Sequence, residues 1–464
     1  MRKIFLPILL AAALVSACAG DDNSPAPVPV PPVEPAPKPH FGAQISFGDS
    51  LSDVGTYAVG TVKALGGGKF TINGDYTRSN PAFAGLNWTE VLAARLGLPA
   101  PCAAQTGLDG IADQGFWVPA QNHAGCFGYG QGGARVTQAV GPGNKLTGSP
   151  LGALTVPVQM QIANHLALSG GKFKSDDLVL VMAGGNDLLL QLGALSAGAA
   201  AAGNVAGREE FYDRLATALA KGATHPVTAE LAIRSAMRSE RARQGSTQTS
   251  VIEASFGTAV VQPGNLAVMN PVVKNSMLES AQASALMAAA AAAQQYATVQ
   301  GPNLVPAMAT AGAELAKLVK NEMLAKGARY VVVNNLPDVA RTPAGLKSTP
   351  EVQALMAAMA QAFNAQLRDA LSAEAGVTLV DMYALSQEAA ANPSAFGLTN
   401  VTDMACDLTP PGNVLGSSLV CNGSNLQAGD VSRYAYADDM HPTPYFYALL
   451  ASKVAEKMVQ AGWL

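Results

Sequence analysis

The chain has 464 residues, of which 49% are hydrophobic and 13% are charged, so it is long and apolar enough to bury a large core. Its formal net charge of −4 provides no positively charged field, which leaves nucleic-acid binding without support. No internal repeat is visible, and the length exceeds that of a single ordinary domain, which leaves room for an insertion.

The N-terminus predicts export. Residues 1–3 are a charged segment, and residues 4–15 are an apolar stretch too short to be a comfortable membrane span, which together indicate a signal peptide over residues 1–17. The sequence around Cys18, Val-Ser-Ala-Cys, is similar to a bacterial lipobox and implies that this cysteine is lipidated. Plain secretion without a lipid is the alternative.

Residues 18–40 are expected to form a linker after the lipid. The stretch 24–38 is rich in proline and predicts a polyproline spacer that holds the folded domain away from a lipid surface. Ala19, in place of an aspartate after the cysteine, resembles the pattern of outer-membrane sorting. We therefore expect an exported protein that is lipid-anchored to the outer membrane, with no later transmembrane helix.

The first chemical signal is the segment 45–53, Ile-Ser-Phe-Gly-Asp-Ser-Leu-Ser-Asp. A β-prone run stops at Gly48, and a helix-like start follows at once. The Ser50 hydroxyl is thereby placed beside unpaired N–H groups, where a serine can attack a carbonyl and the N–H groups can hold the oxyanion. On its own, Gly-Asp-Ser is also typical of an ordinary turn with an N-cap.

Two further segments contain candidate oxyanion donors. Residues 130–136, Gly-Gln-Gly-Gly-Ala-Arg-Val, offer backbone N–H groups from a glycine turn. Within residues 177–187, residues 178–182 are a continuous apolar run, typical of a strand buried on both faces, and the segment ends in Gly-Gly-Asn-Asp. The Asn186 amide is a neutral donor suited to a developing oxyanion, although this ending is also typical of a plain loop.

An acid and a histidine lie close together near the C-terminus, where residues 436–443 read Tyr-Ala-Asp-Asp-Met-His-Pro-Thr. In a tight turn Asp438 would fix the tautomer of the His441 imidazole, and His441 would take the proton from Ser50. Of the five histidines only this one has an acid at Asp-x-x-His spacing. An isolated histidine is usually a surface or core residue, but the serine motif favours catalysis here.

Together the four segments resemble the SGNH, or GDSL, family of serine ester hydrolases, in composition and in order along the chain. The resemblance implies that Ser50 is the nucleophile, His441 the base and Asp438 its orienting acid. It also implies an oxyanion hole formed by the Ser50 N–H, the Gly133 N–H and the Asn186 side chain. The glycine before Gly133 is the alternative backbone donor.

The resemblance covers residues 42–187 and 310–464 and extends to the larger bacterial members, some of which are autotransporter esterase passengers. It implies an SGNH hydrolase domain over residues 41–464. The implied fold is flavodoxin-like α/β, a three-layer α/β/α sandwich with a mainly parallel sheet. No metal and no organic cofactor are expected.

Apolar segments predict the elements of this sandwich. Four parallel strands are expected over residues 44–47, 178–182, 330–333 and 377–380. Catalytic groups follow the first two of these strands, which agrees with the general rule for open α/β sheets.

A long interval separates the second and third predicted strands. It spans about 140 residues, whereas an ordinary connection that includes a helix takes roughly 15–40. Much of it is alanine-rich, so residues 195–300 predict a largely helical insertion, and the β-prone, Gly- and Pro-containing stretch 247–270 predicts a hairpin within it. A basic helical face within it is either a solvated surface or a contact to acidic lipid head groups or polysaccharide. Its residues are Arg234, Arg238, Arg241 and Arg243.

Cysteine usage agrees with export. Apart from Cys18, the simplest arrangement is two local disulfides, Cys102 with Cys126 and Cys406 with Cys421, as suits an oxidising compartment. A metal site is the alternative, but the chain has no Cys-x-x-Cys and its histidines are scattered.

These features predict a serine esterase or lipase that cleaves carboxylic esters, with acyl lipids, aryl esters and acetylated glycans as candidate substrates. A polysaccharide O-acetylesterase is the enzymatic alternative. An inactive surface binding protein with the same fold is the alternative from another class.

Overall fold

The computed structural model describes residues 38–464. The predicted signal peptide over residues 1–17, the predicted lipidation site Cys18 and most of the predicted linker over residues 18–40 lie outside the described residues.

Within residues 38–464 the chain forms eight strands and twelve α-helices, joined by loops and short helical turns. The strands are β1 (Ala43–Gly48), β2 (Gln105–Asp109), β3 (Trp117–Asn122), β4 (Asp177–Met182), β5 (Tyr330–Asn334), β6 (Val377–Val380), β7 (Asn400–Met404) and β8 (Tyr434–Tyr436). The helices are α1 (Gly60–Ala64), α2 (Trp88–Arg95), α3 (Val158–Leu168), α4 (Gly185–Ala220), α5 (Pro226–Ala242), α6 (Gln248–Val260), α7 (Pro271–Gln300), α8 (Leu304–Leu318), α9 (Pro343–Leu346), α10 (Pro350–Leu371), α11 (Met382–Ala391) and α12 (Pro444–Gln460).

The central sheet contains four parallel strands in the order β1-β4-β5-β6. The sequence prediction of four parallel strands is confirmed, and each observed strand begins and ends within one residue of its predicted limits. All six residues of β4 are buried, as its unbroken apolar sequence predicts. In the register of the sheet, Gly48 at the end of β1 lies opposite Met182 at the end of β4.

Helices pack on both faces of this sheet because alternate side chains of each strand point to opposite sides. Val179 and Val181 contribute to a core with side chains of α3, α8 and α10. Leu178 and Leu180 contribute to a second core with side chains of α2, α11 and α12. The predicted mixed α/β class with a mainly parallel sheet is therefore confirmed.

Helices α4 to α7 form a helical bundle between β4 and β5. The long helices α4 and α7 lie antiparallel, and glycines on α4 permit their close approach. A Cβ atom at Gly203 would lie 2.8 Å from the carbonyl oxygen of Ala289, and one at Gly207 would lie 3.0 Å from that of Ala285. Helices α5 and α6 pack against the C-terminal half of α4 and the N-terminal half of α7. The four helices share an apolar core that is separate from those of the sheet.

The predicted hairpin over residues 247–270 is wrong, because most of this stretch forms helix α6. Thr247 caps the helix in a reciprocal capping box with Ser250. Val251, Phe256 and Ala259 are buried at helical spacing. The β-branched residues of the stretch favour a strand only weakly, and packing against the bundle core overrides that preference.

Helix α4 has the length and composition of a helix that could cross a membrane. Its most apolar 18-residue window has a mean hydropathy of 1.4, and 17% of that window is buried. This apolarity comes largely from alanine and glycine. The helix follows β4 directly, and its last turns bury Leu215 and Leu219 in the bundle core, so we assign it to the folded unit.

Both predicted disulfides are confirmed, since Cys102 is bonded to Cys126 and Cys406 to Cys421. The Cys102–Cys126 disulfide holds a segment in which Gly128 forms a β-bridge with Ser46 of β1. This disulfide therefore supports the edge of the central sheet. The second lies in the small core under the loop that carries the C-terminal motif. Disulfides of this kind are typical of an oxidising compartment.

Candidate active site

Ser50 lies at the junction predicted from its motif, directly after β1. Gly48 has a φ of +155°, and a Cβ atom there would collide with the backbone of β4, so the chain can turn at this point only with glycine. Asp49 then caps a short helical turn, Ser50–Ser52, by accepting a hydrogen bond from the Leu51 N–H. The serine therefore begins a helical turn, where its own N–H has no partner within that turn.

His441 lies against this serine although 391 residues separate them in sequence. Its Nε2 atom is 2.9 Å from Ser50 Oγ, and its Nδ1 atom is 2.9 and 2.8 Å from the two carboxylate oxygens of Asp438. The loop after β8 is closed by a hydrogen bond from the Ala437 N–H to the His441 carbonyl oxygen. The ring of Phe70 covers the imidazole, with centroids 4.9 Å apart.

The two ionisable groups of this pair stabilise each other's charged forms. Burial alone would lower the pKa of His441, but the charge and hydrogen bond of Asp438 more than offset this, so the pKa is raised above 6.5. Burial alone would raise the pKa of Asp438, but His441 and the hydrogen bond from the Ser418 N–H hold it well below its ordinary value. The Asp438 carboxyl group is therefore ionised at every pH at which His441 is neutral.

Asn186 occupies the first turn of α4, at the end of β4, and is 6% exposed. Its Nδ2 atom donates a hydrogen bond to the carbonyl oxygen of Ala134, at 2.8 Å. An amide nitrogen carries two hydrogens, so this contact orients the side chain and leaves a second donor. The next residue, Asp187, accepts hydrogen bonds from the Arg135 side chain and the Val136 N–H, which ties α4 to the glycine segment.

The glycine segment distinguishes its two candidate backbone donors. The Gly132 N–H donates to the Asp53 carboxylate, at 2.9 Å. The Gly133 N–H makes no hydrogen bond with any part of the chain that the structure describes. Gly133 also has a φ of +81°, which favours glycine. Of the two, Gly133 is thus the one whose donor is available to a ligand.

One cavity of about 380 Å³ brings the predicted residues together. Ser50, Gly133, Asn186 and His441 all line it, whereas Asp438 is buried and in contact with His441. Most of the remaining wall is apolar. Its side chains include Leu51, Phe70, Leu151, Met182, Leu189 and Leu336.

Two further carboxyl groups of the segment that carries Ser50 were not predicted as site residues from the sequence. Asp49 lines the cavity, and burial raises its pKa to about 7. Asp53 is buried, which raises its pKa to about 6, and it accepts hydrogen bonds from the backbone of Gly55, Thr56 and Gly132. Both belong to the same motif as Ser50, and only their spacing from the serine could have drawn attention to them.

No model of a known protein family matches the sequence, and no curated protein matches it. The class of the molecule therefore follows from the fold and the site. It is a mixed α/β protein with a mainly parallel sheet and a hydrogen-bonded Ser–His–Asp arrangement at the carboxyl ends of two adjacent strands.

Proposed function

We propose that the protein is a serine ester hydrolase of the SGNH, or GDSL, family. The observation that carries the proposal is the contact between Ser50 Oγ and His441 Nε2, with Asp438 on the opposite nitrogen of the imidazole. This arrangement makes a serine hydroxyl nucleophilic on several unrelated folds. The order of the four sequence motifs and a parallel sheet covered by helices on both faces support the SGNH fold in particular.

In the proposed acylation step, Ser50 Oγ attacks the carbonyl carbon of the ester and its proton passes to His441 Nε2. Asp438 keeps the Nδ1 proton on the far side of the ring and stabilises the imidazolium. The tetrahedral intermediate then collapses, the bond to the leaving alkoxide breaks, and His441 returns the proton to that oxygen. An acyl group remains on Ser50.

Three donors stabilise the negative charge that develops on the carbonyl oxygen. They are the N–H groups of Ser50 and Gly133 and the second amide hydrogen of Asn186. Their parent residues are held before substrate arrives, because Asn186 is bonded to Ala134 and the glycine segment is bonded to Asp53. Preorganised donors of this kind are worth on the order of 10²–10³ in rate each.

Deacylation uses the same groups. His441 removes a proton from water, the resulting hydroxide attacks the acyl carbonyl, and Ser50 Oγ leaves with the proton from the imidazole. The product is a carboxylic acid. No step in this scheme requires a metal or an organic cofactor.

The apolar wall of the cavity supports an ester with a hydrocarbon acyl chain as the substrate. Burying such a chain against Leu151, Leu189 and Leu336 is favourable, at about 0.8 kcal/mol for each methylene. A sugar would need polar partners for its hydroxyl groups, so an acetylated glycan is the weaker candidate. The hydrogen-bonded Ser–His–Asp arrangement also argues against an inactive binding protein.

We also propose that the protein is exported and lipid-anchored at Cys18 to the outer membrane. The lipobox-like sequence and the apolar segment before it support this location. The two disulfides support an oxidising compartment.

A Ser50→Ala variant tests the enzymatic proposal. We expect its turnover of a chromogenic acyl ester series, from acetyl to long chains, to fall by a factor on the order of 10³ or more. Ser169→Ala changes an exposed serine at the end of α3 and is the matched control, which should keep wild-type rates. Equal rates for Ser50→Ala and wild type would contradict the proposal. For the wild type, rates that rise with chain length would support the acyl pocket.

A further inference from the structure

The end of the helical bundle that is farther from the catalytic cavity forms a surface outside that cavity. We call it the bundle tip; there α4 and α6 end and α5 and α7 begin. Its two loops, residues 221–225 and 261–270, are joined by a hydrogen bond from the Thr224 N–H to the Pro263 carbonyl oxygen, at 2.7 Å. The Asn265 amide donates to carbonyl oxygens of both α4 and α6. The tip is therefore fixed by its own polar contacts.

Large apolar side chains point outward from this tip. Six of them are between 63% and 76% exposed, and none belongs to the core of the bundle, so they are not required for its packing. Exposed apolar groups gathered on one surface are typical of an interaction site. The six residues are Val227, Leu231, Val261, Leu266, Met269 and Val272.

The charge of the tip is positive, although the whole chain has a net charge of −4. The segments 215–231 and 254–278, which hold all six of these residues, contain Lys221, His225 and Lys274 and a single acidic residue, Glu230, which is paired with Arg234. Among the residues that the structure describes, neither lysine makes an ion pair. Lys274 instead lies over a phenylalanine ring of α6.

The arginines elsewhere on the bundle do not provide such a surface, because acidic side chains of the bundle neutralise most of them. Arg234 pairs with Asp213 and Glu230, and Arg241 pairs with Glu209. The basic face that the sequence indicates on α5 is therefore largely a solvated, paired surface.

We propose that the bundle tip docks onto an anionic lipid bilayer. Apolar side chains combined with lysines are the composition of segments that bind the interface of acidic membranes, where each basic residue near the surface contributes about 1 kcal/mol. An anionic bilayer fits this end of the bundle better than a protein partner does, because two lysines that make no ion pair within the described residues lie beside the exposed apolar side chains. Lysine is depleted in the cores of protein interfaces, whereas it is favoured at the surface of an acidic membrane.

Docking at the tip has a geometric consequence for catalysis. Helix α4 begins at Gly185, beside the cavity, and its 36 residues end at the tip with Ala220. At a rise of 1.5 Å per residue this helix is about 54 Å long. The tip therefore contacts the bilayer while the helical bundle separates the catalytic cavity from that contact.

Fluorescence of a tryptophan placed at the tip tests this proposal in the exported, naturally processed protein. A Leu266→Trp variant is mixed with phosphatidylglycerol vesicles that carry brominated acyl chains, and wild-type emission is subtracted. We expect the added emission to shift to the blue and to be largely quenched. Leu168→Trp, at an equally exposed position on α3, should not be quenched. Adding Lys221→Glu and Lys274→Glu to Leu266→Trp should abolish the quenching.

The folding control is that each variant unfolds thermally at the wild-type temperature; Leu168, Lys221 and Leu266 are exposed, and Lys274 is half-buried. The proposal is overturned if the added emission of Leu266→Trp is not quenched by the brominated lipid. This holds both for a protein that stays in solution and for one that binds the vesicles through another part of its chain. It is also overturned if the added emission changes with protein concentration in the absence of lipid, which would instead indicate contact with a second copy.

Discussion

At the scale of single residues, Asp438 controls the protonation of His441. In the proposed mechanism His441 must be neutral to accept the proton from Ser50, and its pKa lies above 6.5 because Asp438 offsets the effect of burial. Activity should therefore fall as the pH drops through this raised pKa. In Asp438→Asn the charge is gone, so the pKa of His441 falls and the acidic limb of the kcat/KM profile moves to lower pH.

The same variant should lose plateau activity by a factor on the order of 10³ or more, because the imidazole is no longer held in the productive tautomer. Both effects are measured in one experiment, as kcat/KM against pH for variant and wild type. An acidic limb at the same pH in both proteins would contradict the assigned pair.

Asp53 is predicted to act as a positioning residue for the oxyanion site. It holds the Gly132 N–H and the turn after Ser50, so Asp53→Asn loses acceptors for part of this backbone network. The Gly133 N–H should then be misplaced in the transition state. We expect kcat to fall by about 10–10²-fold with little change in KM.

The control is the free energy of unfolding of Asp53→Asn, since loss of stability alone would lower the amount of active enzyme and leave its KM and its pH profile intact. Titration of active sites with a covalent inhibitor corrects kcat for inactive protein. A wild-type kcat per active site would count against the positioning role.

Asp53 is an example of a site residue that the sequence alone does not reveal. Ser50, Asn186, Asp438 and His441 can be predicted because each lies in a short motif whose residue types suit a chemical step. Asp53 acts instead through a hydrogen bond to a glycine 79 positions away, and no local pattern indicates such a contact.

At the scale of elements, the contact between α4 and α7 depends on glycine. Gly203 faces the backbone of α7, whereas Gly193 on the same helix has no atom within 4 Å of the position of a Cβ. Gly193→Ala should stabilise the protein by about 0.5–1 kcal/mol through its helix propensity. In Gly203→Ala the same gain is opposed by overpacking of about 1–3 kcal/mol, so it should be destabilising.

Denaturant unfolding of the two variants measures this difference directly. The pair shares one helix and one chemical change, and it differs only in the neighbour that the new methyl group meets. If both variants change the free energy of unfolding equally, the close packing of α4 against α7 is not present in solution.

The elements themselves were predictable to different degrees. Strands β4 and β5 have continuous runs of Val and Leu, which indicate burial on both faces, and all four strands of the central sheet form where expected. The stretch over residues 247–270 has β-branched residues as well, yet it forms α6 because the apolar side of the helix is covered by the bundle. A single sequence does not show which neighbours will be present.

At the scale of the whole molecule, the parallel sheet explains how the site is assembled. The ends of β1 and β4 lie side by side, which brings Ser50 and Asn186 to one edge, and the loop after β8 carries His441 to the same edge. The order of motifs along the chain predicts the members of this site. It does not predict the apolar cavity beside them, whose walls come from many separate segments.

The central claim is that Ser50 is a nucleophile activated by His441, and covalent labelling tests it most directly. An alkyl phosphonate ester should react so that Ser50 Oγ bonds to phosphorus and the leaving group departs, which adds the phosphonyl mass to the peptide that contains Ser50. We predict labelling at Ser50 in step with the loss of esterase activity, and none in Ser50→Ala. Labelling at another residue, or ester turnover that persists with Ser50 fully modified, would contradict the account.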